Sequence, residues 1–268
     1  MTGQEVFGYS TAILAGLILG LAGGGGSILT VPIFVYLFGI PPVLATTYSL
    51  FVVGATSLVG SVGHIWNKRV NLSVSMAFAV PSFLSVYLTR RWLVPAIPDP
   101  LLRIGAFALP KNDAILYFFA FVMVMAALAM IRQRQPAQEP AGERSANFQL
   151  LALDGLAVGV LTGTIGAGGG FIIVPMLVLL AGMPMHRAVA TSVLIIAVNS
   201  FIGFLGDLDQ AALDWPFLIR FTSLSIAGII LGLYLSKYVP ATQLKRGFGW
   251  FVLLIAAYII TNELLVLL

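Results

Sequence analysis

Apolar runs alternate with short polar punctuation along this chain. Five runs occupy the first half, at about 5–22, 28–40, 43–66, 70–88 and 113–132. Five more occupy the second, at about 148–165, 171–183, 187–206, 214–236 and 247–268. A helix needs about 20 apolar residues to cross a hydrocarbon core of ~30 Å. The second run of each half is too short for that, since about 13 helical residues reach only ~20 Å. These runs are expected to pair with the run before them, as a re-entrant hairpin or a broken helix. Irregular backbone at that depth is tolerated only inside protein or beside water. The pattern predicts an all-α polytopic membrane protein, with 133–147 as a polar linker carrying Pro136, Pro140 and Gly142.

The two halves are copies. A shift of 143 residues aligns Gly16, Gly20, Gly23, Gly25, Gly26, Val31 and Pro32 with Gly159, Gly163, Gly166, Gly168, Gly169, Val174 and Pro175. The same shift aligns Gly39, Pro41, Ala45, Ser49, Ser57, Gly60 and Gly63 with Gly182, Pro184, Ala188, Ser192, Ser200, Gly203 and Gly206. In all, 16 of the 48 positions from Gly16 to Gly63 are identical. With a small insertion, Leu84–Arg90 also matches Leu231–Lys237. Residues 1–132 and 148–268 therefore form two repeats of one membrane domain.

Composition agrees with a membrane setting. Hydrophobic residues make up 59% and charged residues 9%, against about 25% charged in a soluble globule. The run lengths favour helices over a barrel. The absence of cysteine removes disulfides and thiolate metal sites. The net charge of +4 is spread over loops and makes no nucleic-acid patch. Met1–Glu5 carries no Lys or Arg, and the run after it has an internal copy, so it reads as part of the fold and not as a signal peptide.

Charge also orients the chain. An odd number of segments per half, or three spans plus a hairpin, inserts the halves upside down relative to each other. With the Lys68–Arg69 loop placed inside, Arg132, Arg134, Arg144, Arg187, Lys237, Lys245 and Arg246 also fall inside, giving nine basic residues. Outside lie four, Arg90, Arg91, Arg103 and Lys111, with the acidic loop of Asp207, Asp209 and Asp214. The positive-inside rule favours this arrangement in the cytoplasmic membrane, with both termini outside. Trp66, Trp92, Trp215 and Trp250 sit near segment ends, as lipid-interface anchors do.

The glycine clusters are the first candidates for chemistry. Gly23–Ser27 and Gly166–Gly170 break an apolar stretch in both halves, and paired breaks point to a midplane transport site. Gly24, Gly25, Gly26 and Ser27, with Gly168, Gly169 and Gly170, are expected to open short helices. Helix N-termini attract anions, and glycine lets a ligand approach the backbone. The bland alternative is tight helix packing, which is the expected role of Gly16-x-x-x-Gly20 and Gly159-x-x-x-Gly163. No Gly-Lys-Ser/Thr follows either cluster, so neither is a nucleotide loop.

Small polar residues follow. Ser49, Thr191, Ser192 and Asn199 are candidates to donate hydrogen bonds to an anion, with Thr56 and Ser57 matching Asn199 and Ser200. Interhelical or i−4 backbone bonding is the competing role for the hydroxyls, whereas a buried amide demands a partner. Arg220, Arg187 and His64 are candidates for carrying charge or a coupling proton. For these the alternatives are snorkelling, an orientation signal and an interfacial role. Asp154 suits a helix start. The sequence shows no HExxH and no hydrolase serine motif, and no titratable constellation is expected in the bundle interior. No cofactor or metal is expected.

The glycine loops with Ile-x-x-x-Pro or Ile-x-Val-Pro, the Ala-x-x-x-Ser stretch after Gly-x-Pro, and Arg90…Leu93-Val94-Pro95-Ala96-Ile97-Pro98 resemble the sulfite exporter TauE/SafE family over nearly the whole chain. That resemblance implies a cytoplasmic-membrane transporter of small anions, often sulfite or organosulfonates. The partners expected are therefore a small anionic substrate and membrane lipids. A passive anion channel is the first competing function. A transporter of another small anion, such as a carboxylate, comes next, and a membrane-embedded enzyme is remote.

Overall fold

The computed structural model describes residues 3–22, 25–66, 70, 72–104, 107–132, 148–179, 182–209, 212–236, 238 and 241–267. Helix α1 (Gly3–Ala22) leads to a broken element: a 3₁₀ turn (Gly25–Leu29), the short α2 (Thr30–Pro32) and a π turn (Ile33–Leu37). Helices α3 (Pro42–Trp66) and α4 (Leu72–Leu88) follow. A further π turn (Thr89–Leu93) and α5 (Val94–Ala96) prolong α4. The second half repeats the order with α7 (Phe148–Ile165), α8 (Gly170–Leu179), α9 (Met185–Asp207), α10 (Trp215–Leu235) and α11 (Ala241–Leu267). Helix α6 (Lys111–Arg132) closes the first half.

These bounds lie close to the apolar runs. Among the described residues, four helices are long and apolar enough to cross a membrane, within Pro42–Trp66, Lys111–Ala129, Arg187–Asp207 and Trp215–Leu235, and shorter apolar helices accompany them. Helix α8, with 10 residues, spans only about 15 Å, as its short run anticipates. One element is absent from the sequence reading. Strands β1 (Leu102–Ile104) and β2 (Phe107–Leu109) form an antiparallel hairpin in the basic 89–112 loop, with Arg103 opposite Ala108. The linker, the Lys68–Arg69 loop and Lys237 lie outside the described residues.

Local bonding recurs 143 positions apart. Ile40 N–H donates to Phe34 O at 3.0 Å, and Met183 N–H to Leu177 O at 3.2 Å. Gly39 and Gly182 both have positive φ, 64° and 61°, which glycine adopts without steric cost. Each marks the end of a short second segment.

Packing interleaves the halves. Helix α1 packs on α10, α7 on α4, and α6 on α11. Glycines bring the first two pairs together. A Cβ on Gly16 would come 1.9 Å from Ser225 O, and one on Gly159 would come 2.6 Å from Ser82 O. The packing role expected of the GxxxG pairs is therefore what these glycines perform. At the centre α3 runs antiparallel to α9, its repeat equivalent. Thr47 meets Asp207, Leu50 lies against Gly203, and Gly60 lies against Val193. The last two contacts exchange under the 143-residue shift.

Candidate anion site between the glycine loops

The second glycine loop is a buried turn. Gly166 N–H donates to Thr162 O at 2.9 Å and so ends α7. Gly166, Gly168 and Gly169 then take φ of 71°, 67° and 71°, a region that costs any L-residue with a Cβ. Space is equally restricted. A Cβ on Gly168 would lie 2.6 Å from Val53 Cγ1 and 3.0 Å from Ser200 Oγ, and one on Gly169 would lie 2.2 Å from Thr162 Oγ1. The loop tip therefore lies in the seam between α3 and α9, and Gly170 begins α8 directly behind it. In the first half, Gly25 and Gly26 open the 3₁₀ turn that carries Ser27. This turn packs on α8, so the two breaks meet. Gly24 lies outside the described residues.

Neutral polar groups line this junction. Ser27 is buried, and Thr30 Oγ1 donates to its carbonyl at 2.8 Å while sharing a hydrogen bond with Ser49 Oγ. A void of about 10 Å³ lies among Ser27, Thr30, Val53, Thr56 and Ser225. Asn199 donates its amide to Ser82 Oγ at 2.8 Å. Among the described residues, the buried oxygens Ser57 Oγ, Ser200 Oγ, Thr162 Oγ1 and Asn199 Oδ1 have no hydrogen-bond partner. Buried polar atoms without partners are costly; the three hydroxyls can donate to an anion, whereas the Asn199 carbonyl oxygen only accepts. Ser192 Oγ instead donates to Val189 O at 2.9 Å, which is the backbone-bonding role weighed for it. Thr191 is fully buried and also bonded. Thr162 was not singled out from sequence. Its only signal is a hydroxyl within one helical turn of the glycine cluster.

A cavity flanks each end of the α3–α9 pair. The larger, about 360 Å³, is lined by Thr47, Arg90, Lys111, Asn112 and Asp207 among others. The smaller, about 110 Å³, is lined by Gly20, Gly60, His64, Val193, Leu233 and Ser236 among others. His64 and Asp207 are repeat equivalents, so matching positions line opposite ends. Arg187 is exposed in the first turn of α9 and engaged in a contact. Arg220 is exposed on α10 and lines neither cavity, as a snorkelling side chain would.

Arg90 departs from the sequence reading, which counted it with Arg91 as an outer-loop charge. The π turn after α4 carries Arg90 inward, where it is 1% exposed. Its Nη1 donates to Asp207 Oδ2 at 3.0 Å and to Thr46 Oγ1 at 2.9 Å. Thr47 Oγ1 donates to the same Asp207 oxygen at 2.6 Å. The bundle interior thus holds an ion pair where no titratable constellation was expected. Arg91 points out and pairs with exposed Asp209 at 2.9 Å. The available signal was the match of Arg90 to Lys237, a cation at the same place in both repeats.

The model of the family described as "Sulfite exporter TauE/SafE" matches residues 9–259. The chain belongs to the sulfite exporter TauE/SafE family. It is 31% identical to a probable membrane transporter protein of Xylella fastidiosa (strain 9a5c), over 92% of this chain and 91% of that protein. It is 28% identical to one of Methanocaldococcus jannaschii, over 81% of this chain and 79% of its relative. A Bacillus subtilis probable membrane transporter protein is 24% identical, over 87% and 90%. No solved structure matches. As a member of this family, the chain is a multi-pass membrane transporter.

Proposed function

We propose that this transporter moves a small oxyanion, with sulfite or an organosulfonate as first candidates, by alternating access between two inverted repeats. The observation that carries the reading is the pair of cavities at opposite ends of antiparallel α3 and α9, to which the repeat equivalents His64 and Asp207 each contribute. The seam of glycine loops and hydroxyl groups is, in this reading, the barrier between them. In this reading the anion is held at the seam by the neutral donors of Ser27, Ser49, Ser57, Asn199 and Ser200 and by the helix that begins at Gly170. Donors without charge let an anion bind and leave. Rocking one helix set against the other widens one cavity as the opposite one narrows. In this reading the larger cavity, on the Arg90 side, is the access path of this conformation. On charge balance, this reading takes that side as the outer one.

The substrate class comes from the family. Purified protein in liposomes, tested with sulfite, taurine-like sulfonates, carboxylates and chloride, decides it. Saturable uptake of sulfite or a sulfonate above equilibrium under an imposed ion gradient is expected. Flux that only dissipates the anion's own gradient would make the protein a channel, and a preference for carboxylates would replace the substrate.

A further inference from the structure

The Arg90–Asp207 pair is incompletely satisfied. A guanidinium offers five N–H donors in a planar fork. Here Nη1 alone serves both Asp207 and Thr46, and Nε and Nη2 have no hydrogen-bond partner. Asp207 reaches Nη1 through Oδ2 alone, not through the two-pronged contact that makes arginine–carboxylate pairs strong. Arginine is 1% exposed at its side chain and the aspartate 10%, so the carboxylate is the more open partner. Both line the larger cavity, about 360 Å³, together with Lys111 and Asn112. That volume exceeds by far the ~30 Å³ share of one water. The charged side chains lining the cavity are two cations against one carboxylate, with Asp99 accepting from the Lys111 backbone N–H at 3.2 Å nearby.

The same guanidinium touches the transport seam. A Cβ on Gly166 would stand 2.6 Å from Arg90 Nη2 and 2.3 Å from Thr46 Cβ. The second glycine loop is thus packed on the arginine that lines the cavity.

We infer that Arg90 anchors an oxyanion-binding site in this cavity, with Asp207 as the internal carboxylate that occupies it when no anion is bound. The inference rests on the transport reading for its substrate, and it adds an entry site distinct from the neutral seam. An incoming oxyanion takes the place of Asp207 and engages the unused guanidinium donors, with Lys111 contributing from the rim. Removing Asp207 from Arg90 also breaks the tie from Thr46 of α3, through Arg90, to the end of α9, and leaves the direct Thr47–Asp207 bond as the remaining link. Arrival of the anion therefore loosens the wall behind Gly166.

The test is sulfite binding to the full chain in lipid-free detergent, read as a shift in thermal unfolding, with sulfate and phosphatidylglycerol as parallel probes. Asp207→Asn is expected to tighten sulfite binding roughly tenfold, because it removes a charged competitor. The double variant Arg90→Gln/Asp207→Asn, which removes both charges together, is expected to lose the sulfite-dependent shift. Lys111→Gln is expected to weaken binding by about threefold. Parental affinity in the double variant, or no tightening in Asp207→Asn, overturns the site. If the double variant does not accumulate, unchanged affinity in Lys111→Gln overturns it. A shift with phosphatidylglycerol alone assigns the cavity to a lipid headgroup and also overturns it. Binding strengthened by Asp207→Asn in a protein that moves no anion would retain the site and remove the transport reading. Anion flux with an unchanged KM in the double variant would do the reverse.

Discussion

Asn199 of α9 donates its side-chain amide to Ser82 Oγ of α4 at 2.8 Å, and both side chains are fully buried. This bond joins the first half to the second, one residue before Ser200, which faces Gly168. Asn199→Leu keeps the approximate volume but leaves the Ser82 hydroxyl without its partner. It should cost about 1–3 kcal/mol. Asn199→Asp would bury an uncompensated carboxylate, and the cost should be about 3–5 kcal/mol. Thermal unfolding in detergent measures both, and equal stabilities for the two variants would refute the account. In liposomes, Asn199→Leu should also raise the KM for the transported anion.

Two glycines with positive φ separate backbone strain from loss of space. Gly39, φ 64°, is exposed, and a Cβ there would meet nothing within 4 Å. Gly39→Ala should therefore cost only the left-handed penalty of about 1–2 kcal/mol and keep its flux. Gly168, φ 67°, faces Val53, Ile196 and Ser200 at 3.0 Å or less. Gly168→Val should abolish flux in protein that still elutes as a folded species on gel filtration. Wild-type flux from Gly168→Val would take the loop out of the mechanism.

The contrast between these glycines and Arg90 explains what the sequence made legible. Segment positions follow from hydropathy summed over about 20 residues, so errors at single residues do not move them. The paired breaks were visible because glycine and proline recur at one offset. Gly16 and Gly159 were read as packing residues, and each meets a backbone carbonyl of another helix. The partner helices were not legible, because exchange of α1 and α7 between halves leaves no mark on either sequence. Arg90 was misplaced for a related reason. Charges mark span ends, and two adjacent arginines read as one loop. A π turn separates them, sending Arg90 to Asp207 and Arg91 to Asp209.

The α1–α10 seam makes a sharper stability prediction. Ser225 Oγ donates to Ala12 O at 3.1 Å, and a Cβ on Gly16 would overlap the Ser225 carbonyl at 1.9 Å. Backbone cannot yield there without separating the helices. Gly16→Leu should eliminate folded protein from the membrane fraction. Gly63→Ala is the control, since a Cβ there meets nothing within 4 Å. Its stability should stay within about 0.5 kcal/mol of the parent. Solubilised yield and melting temperature compare the two, and folded Gly16→Leu protein would mean the helices are not held this closely.

Inversion of the repeats can be tested at one pair of equivalent positions, because the parent sequence has no cysteine to remove. Trp66 at the end of α3 is 84% exposed, and Asp209, just past α9, is 75% exposed at its side chain. They are 143 residues apart, the repeat offset. The Asp209–Arg91 pair is a surface contact, so losing it should cost no more than about 1 kcal/mol. In intact cells, a membrane-impermeant maleimide should label Asp209→Cys directly. Trp66→Cys and the linker variant Ser145→Cys should react only after the membrane is opened. Labelling of Trp66→Cys and Asp209→Cys from one side would end the inverted-repeat reading. Labelling of the two from opposite sides in the reverse sense would preserve the inversion and turn the larger cavity toward the cytoplasm.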